Sequence, residues 1–161
     1  MPKAFSLAQQ TPPVSVLPPA ADAAGRTGAW VGLKKAAKVF LVVHINQGAA
    51  NTVAVTLQQA TSAAGAGAKA GPAVAIYVNL NTGANDALVR QAVDANTFTT
   101  DAGLQTKLVI FEVDAAQLDV ANGYAYVTLV TGASIAANIT QAEAIPTGLR
   151  YAGTAPDSLV V

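Results

Sequence analysis

The stretch Lys38-Val-Phe-Leu-Val-Val-His-Ile-Asn46 decides the fold. It sets Val39, Leu41, Val43 and Ile45 on one face and Phe40, Val42 and His44 on the other. That period of two is the signature of a β-strand, whose successive side chains point to opposite faces. Apolar residues on both faces predict a strand covered on both sides. Thr52-Val-Ala-Val-Thr-Leu-Gln58 alternates more cleanly, with Val53, Val55 and Leu57 inward and Thr52, Thr56 and Gln58 outward. Gln47-Gly-Ala-Ala-Asn51 links the two stretches and predicts a hairpin.

The same period continues through Val74, Ile76, Val78 and Leu80, then through Lys107–Val113 and Tyr124–Val130. Leu88–Val93 and Thr97–Thr100 are shorter strand candidates, and Ala63–Gly71 reads as a flexible loop. Asp114 is placed to cap one helical turn ending at Leu118. Asn122-Gly123 supplies a tight turn. Ala136–Ile145 is ambiguous: its alanines favour helix, whereas Asn138-Ile-Thr-Gln141 suits an edge strand bounded by Pro146. No segment sustains a helical stripe over the 10–12 residues a helix needs. About seven to nine short strands with Gly/Asn/Asp turns predict an all-β antiparallel sandwich or jelly roll.

Five of the eight prolines lie within the first nineteen residues. Proline fixes φ, lacks a donor and pushes the preceding residue toward extended geometry. Residues 1–24 are therefore expected to form an extended N-terminal arm, and residues 25–161 the β-sandwich domain. The arm reads equally as a free tail or as a segment that orders on a neighbouring subunit through Val14, Val16 and Leu17.

The composition narrows the function. Hydrophobic residues make up 52% of the 161 residues and charged residues 11%, with nine basic side chains balancing nine acidic ones. An ordinary soluble domain carries roughly 25% charge, so much of this surface is expected to meet protein rather than water. Zero net charge gives no electrostatic gain along a phosphate backbone, which argues against nucleic acid. The densest apolar run, Val39–Val43, falls far short of the roughly 20 residues that span a bilayer, so no membrane partner is expected. The start, MPKAFSLAQQTPP, is a poor secretory signal. With no cysteine there is neither a disulfide nor a thiolate metal site, which fits a reducing compartment.

Catalytic apparatus is thin. His44, the only histidine, sits among Val and Leu without a G-x-S-x-G serine and reads as a structural or interface residue. Glu112, Asp114 and Asp119 lie close in sequence, but their spacing gives no paired acid/base geometry and reads as a strand end with a helix cap. Gly65-Ala-Gly67 lacks the Lys-Ser/Thr of a phosphate loop. No metal, cofactor or small-molecule substrate is expected. Lys34, Lys35 and Lys38 form the one basic cluster, with Arg26 nearby; they read as a solvated face or, alternatively, as a contact for an acidic patch on a protein partner. Trp30 fits a core position as well as an interface.

LPPAADAAGRTGAWVGLKKAAKV (17–39), HINQGAANTVAVTLQQA (44–60), DALVRQAV (86–93) and TGLRYAGTAP (147–156) together resemble a family of small proteins from tailed-phage and prophage structural modules. Such proteins resemble capsid decoration, or cement, proteins. The resemblance implies a non-enzymatic β-rich subunit, made in the bacterial host cytoplasm, that binds the major capsid protein on the outer shell, often as a homotrimer. The family has no catalytic motif to carry over. Val14, Val16 and Leu17 as arm anchors, with Arg26, Trp30, Lys34 and Lys35 at the arm's base, are the expected capsid or inter-subunit contacts. A tail, head–tail or head-fibre subunit is the alternative within the virion, and a carbohydrate-binding or hydrolytic β-sandwich the alternative outside it.

Overall fold

The computed structural model describes residues 6–149; the arm's first five residues and residues 150–161 of the expected domain lie outside them. Two antiparallel sheets pack face to face. The larger has the order β1 (Val14–Ala21), β12 (Asn138–Thr147), β4 (Lys38–Gln47), β10 (Thr106–Asp114), β7 (Ala75–Asn79), β8 (Val89–Arg90). In the smaller, β2 (Arg26–Thr27) and β3 (Val31–Gly32) pair with β11 (Tyr126–Thr131). The other edge of β11 pairs with β5 (Ala54–Ala60), which also carries β6 (Lys69–Ala70) and β9 (Thr97–Thr99). The all-β sandwich expected from the alternation is the fold.

The inward set forms the core. Val39, Leu41, Val43 and Ile45 of β4 are fully buried against Val53, Val55 and Leu57 and against Val127 and Leu129 of β11. Val109, Phe111 and Val113 extend the same layer along β10. Each such side chain contributes about 1.5–3 kcal/mol by leaving water.

The connection expected to form a hairpin does something else. β4 belongs to the larger sheet and β5 to the smaller, so Gly48–Asn51 carries the chain across the sandwich. Alternation identifies the face that goes inside, but a hairpin and a sheet switch bury the same set. The corner is held by Asn138: its Oδ1 accepts from the Ala49 N–H at 2.9 Å, and its Nδ2 donates to the Asn51 carbonyl at 2.7 Å. Gly48 is required there, because a Cβ would lie 2.5 Å from the Ala137 carbonyl oxygen.

The ambiguous Ala136–Ile145 stretch is resolved as strand, and β12 is interior, between β1 and β4. Pro146 is tolerated because β1 pairs no further along β12 than Ala144, so no ladder donor is required beyond it. Asp114 does precede a single 3-10 turn, Ala115–Gln117, and its N–H is satisfied by Gln117 Oε1 at 2.9 Å.

Residues 14–21, placed in the arm by their prolines, are extended but form the edge strand of the larger sheet. β1 shifts register on β12 at two points, so two extra residues are absorbed between Ser15 and Ala20. The first shift sends the successive side chains Val16 and Leu17 inward, leaving them 1% and 2% exposed. The second spans Pro18-Pro19, which have no donors to give. Arg26 supplies the missing bonds: its guanidinium donates to the carbonyls of Pro18 at 2.9 Å, Ala20 at 3.1 Å and Thr140 at 2.8 Å. Its charge is met by Asp22, fully buried, at 3.0 Å.

Removing one member of a buried ion pair costs about 3–5 kcal/mol, because the other charge stays buried alone. Arg26→Met is expected to lower unfolding stability by that order in urea; an unchanged midpoint would show that the pair does not hold the edge. Deletion of residues 1–20 strips Val16 and Leu17 from the core. It is expected to destabilise the sandwich by at least the roughly 2–5 kcal/mol of a single Leu17→Ala change, as calorimetry would show.

Candidate interaction surface

Charged side chains are mostly consumed inside the molecule. Lys38, expected to join Lys34 and Lys35 in a basic patch, instead meets Glu112 at 3.4 Å and Asp114 at 3.6 Å. The same contacts account for two of the three carboxylates considered for chemistry. The third, Asp119, pairs with Lys69, whose Nζ lies 4.0 Å from the Tyr124 ring centroid. At the opposite end of the sandwich Lys107 is fully buried. Its ammonium donates to Gln47 Oε1 at 2.9 Å, Asp101 Oδ1 at 2.7 Å and the Gly103 carbonyl at 2.6 Å. Thr100 also donates to Gln47 Oε1, and Gln47 Nε2 donates to the Asp101 carbonyl. A buried ammonium held by these acceptors ties the 101–105 loop to the start of β10.

The expected contact residues do not converge. Val16 and Leu17 are core, and Val14 is half-buried against it. Arg26 lies at the end of β11 near Thr131, whereas Val31 and Gly32, just after Trp30, pair at its beginning. Trp30 is 9% exposed and lies under the 61–67 loop, where a Cβ at Gly65 would come within 2.5 Å of its Nε1. Lys34 and Lys35 are exposed.

Lys34 does border a feature that the sequence did not reveal. At this end of the sandwich, Leu33, Ala36, Ala116, Leu118, Val120 and Tyr124 help line a groove of about 610 Å³. The alanine pairs Ala36-Ala37 and Ala115-Ala116 leave room where larger side chains would fill it. Val120 remains 60% exposed at its margin. Val120 lies in a stretch with no periodic pattern and Tyr124 at the start of an alternating one, so only their convergence in space shows them as a site.

The second unpartnered surface is the outer face of the larger sheet. Phe40 and Val42, expected to be covered, are half-buried, and His44 is exposed beside them. Phe40, Val42, Tyr77, Ile110 and Ile145, with the charged Glu112, help line a shallow depression of about 440 Å³. The outer face of the smaller sheet is different in kind: Thr27, Val130, Thr56 and Thr97 follow one another across it in register. Its two hydroxyls at Thr56 and Thr97 bond each other at 3.0 Å. One outer face is lined largely by threonine hydroxyls, and the other by apolar side chains.

No family model, curated protein or solved structure matches this chain.

The Lys107 bond and then the Gly103 N–H hold the Asp101 carboxyl below its ordinary value of 3.8. A lowered carboxyl stabilises the folded state above its unfolded value, and this contribution is lost as pH falls through the folded one. Thermal stability is therefore expected to drop as pH falls below about 4. Asp101→Asn should make that drop shallower; an identical slope in the variant would remove Asp101 from the account.

Proposed function

We propose that this chain is a non-enzymatic virion structural protein that binds the outside of an icosahedral phage capsid and stabilises it. The observation that carries the reading is the apolar groove edged by Lys34. It offers a concave, methyl-lined surface with a cation at its rim, suited to an apolar segment with acidic neighbours on a capsid protein. The resemblance to tailed-phage structural modules supplies the kind of partner. The internal use of charge agrees with a subunit whose surface is finished by its neighbours. Arg26, offered by the sequence as a contact, instead preserves the edge strand, so the docking role passes from the arm to the groove end.

Val120→Asp puts a charge into the groove at an exposed position and is expected to leave the melting temperature unchanged. Occupancy of purified capsids, measured by cosedimentation, should fall about tenfold, as expected when a charge is set against an apolar contact that must lose its water. Lys34→Glu should lower it less and weaken its salt dependence. Imaging that finds the labelled protein on tails and not on the shell would overturn the proposal, and full capsid occupancy by the Val120 variant would remove the groove from it.

A further inference from the structure

The outer face of the larger sheet carries a pattern that the capsid reading does not use. Its central row runs in register across the sheet: Ser15 of β1, Glu143 of β12, Val42 of β4, Ile110 of β10, Tyr77 of β7 and Arg90 of β8. Directly paired residues of antiparallel strands share a face, so an apolar centre separates an acidic side chain on one flank from a basic one on the other. Glu143 is exposed. Arg90, 46% exposed, is held by Asp94 at 2.6 Å, and its five N–H donors leave capacity for a second carboxylate.

We infer that this face binds the same face of a second copy of the chain about a twofold axis that runs along the strands, between β4 and β10. Sheets packed in this way stack about 10 Å apart with nearly aligned strands. The rotation exchanges the two flanks. Val42 then lies against Ile110 of the second copy, and Glu143 lies against Tyr77 and within reach of Arg90 of the second copy. Because a twofold contact is isologous, the charge pair forms twice. A twofold axis running across the strands in the same plane would set Glu143 on Glu143, which like-charge repulsion opposes. At strand and residue spacings of about 4.8 and 3.4 Å, the six strands offer at most about 24 Å by 31 Å. This is of the same order as the roughly 800 Å² that each partner contributes to a standard interface.

The inference is independent of the capsid-binding groove, which lies at the end of the sandwich and stays open in such a dimer. Sedimentation equilibrium of the full chain tests it. Wild-type protein is expected to show a monomer–dimer equilibrium. Glu143→Arg and Arg90→Glu should each weaken it about tenfold, since each change removes two ion pairs. The double variant E143R/R90E should restore dimerisation with the charges exchanged. Val120→Asp should leave dimerisation intact while weakening capsid occupancy, which separates the two proposals. A chain that stays monomeric at its highest soluble concentration overturns the inference. So does an oligomer, trimeric or otherwise, that ignores both single changes, or a double variant no better than the singles. Loss of capsid occupancy by the single variants without any dimer to lose would assign the face to the shell instead.

Discussion

The sandwich depends on how its chain crosses between sheets. A strand ladder satisfies backbone groups along its length but not where the chain leaves one sheet for the other. Unsatisfied groups buried there cost as much as lost hydrogen bonds. In this molecule three such places are bridged by buried polar side chains. Asn138 spans the Gly48–Asn51 corner. Asp22 and Arg26 bind the β1–β2 crossing to β12. Lys107, Gln47 and Thr100 close the path from β9 to β10. All three clusters lie at the same end, where β4 and β9 finish and β10 and β12 begin. Apolar layers set the amount of stability, and these networks determine which strands face each other.

Concentrating polar locks at one end leaves the other free to be apolar. At least five of the nine basic residues are spent on ion pairs within the chain, so little charge remains to solvate the surface. The groove end is floored by alanine, whose single methyl group hides little of the backbone beneath it. The scarcity of charge that marks the sequence is thus a division of labour: ions hold the fold, and methyl groups and aromatic rings meet whatever lies outside. Such a surface agrees with the proposed place of this chain in an assembly.

Much of the architecture could be read before the structure. Val39, Leu41, Val43 and Ile45 announced a core strand because period two is imposed by backbone geometry, whatever the partner. Pairing was less legible. Gly48–Asn51 looks like a hairpin turn because the residues that permit a sharp turn also permit a corner, and only Asn138, some ninety positions away, distinguishes them. Pro18 and Pro19 suggested an arm for a similar reason. Proline excludes a regular ladder, but a bulged edge strand with Arg26 supplying donors escapes that exclusion. The second apolar face of β4 was legible as a pattern and misread as coverage, since burial by the same chain and burial by another select the same side chains. The groove was not legible at all. Its lining comes from four separate stretches with no common period.

That last ambiguity bears on the relation between the two surfaces. A face buried within one chain needs matching shape alone, because its partner is always present at effectively unlimited concentration. A face buried between chains must also survive exposure, so it keeps charges at its margins to limit promiscuous contact. The larger sheet has this character: Phe40, Val42 and Ile110 are half-buried, and Glu112, Glu143 and Arg90 stand around them. The inner face has no such margin except at the locked end, where the buried Lys107 is paired with Asp101. The contrast between the two sides of one sheet therefore distinguishes a core from a contact. By that criterion the outer face of β4 has the character that the proposed contact between copies requires.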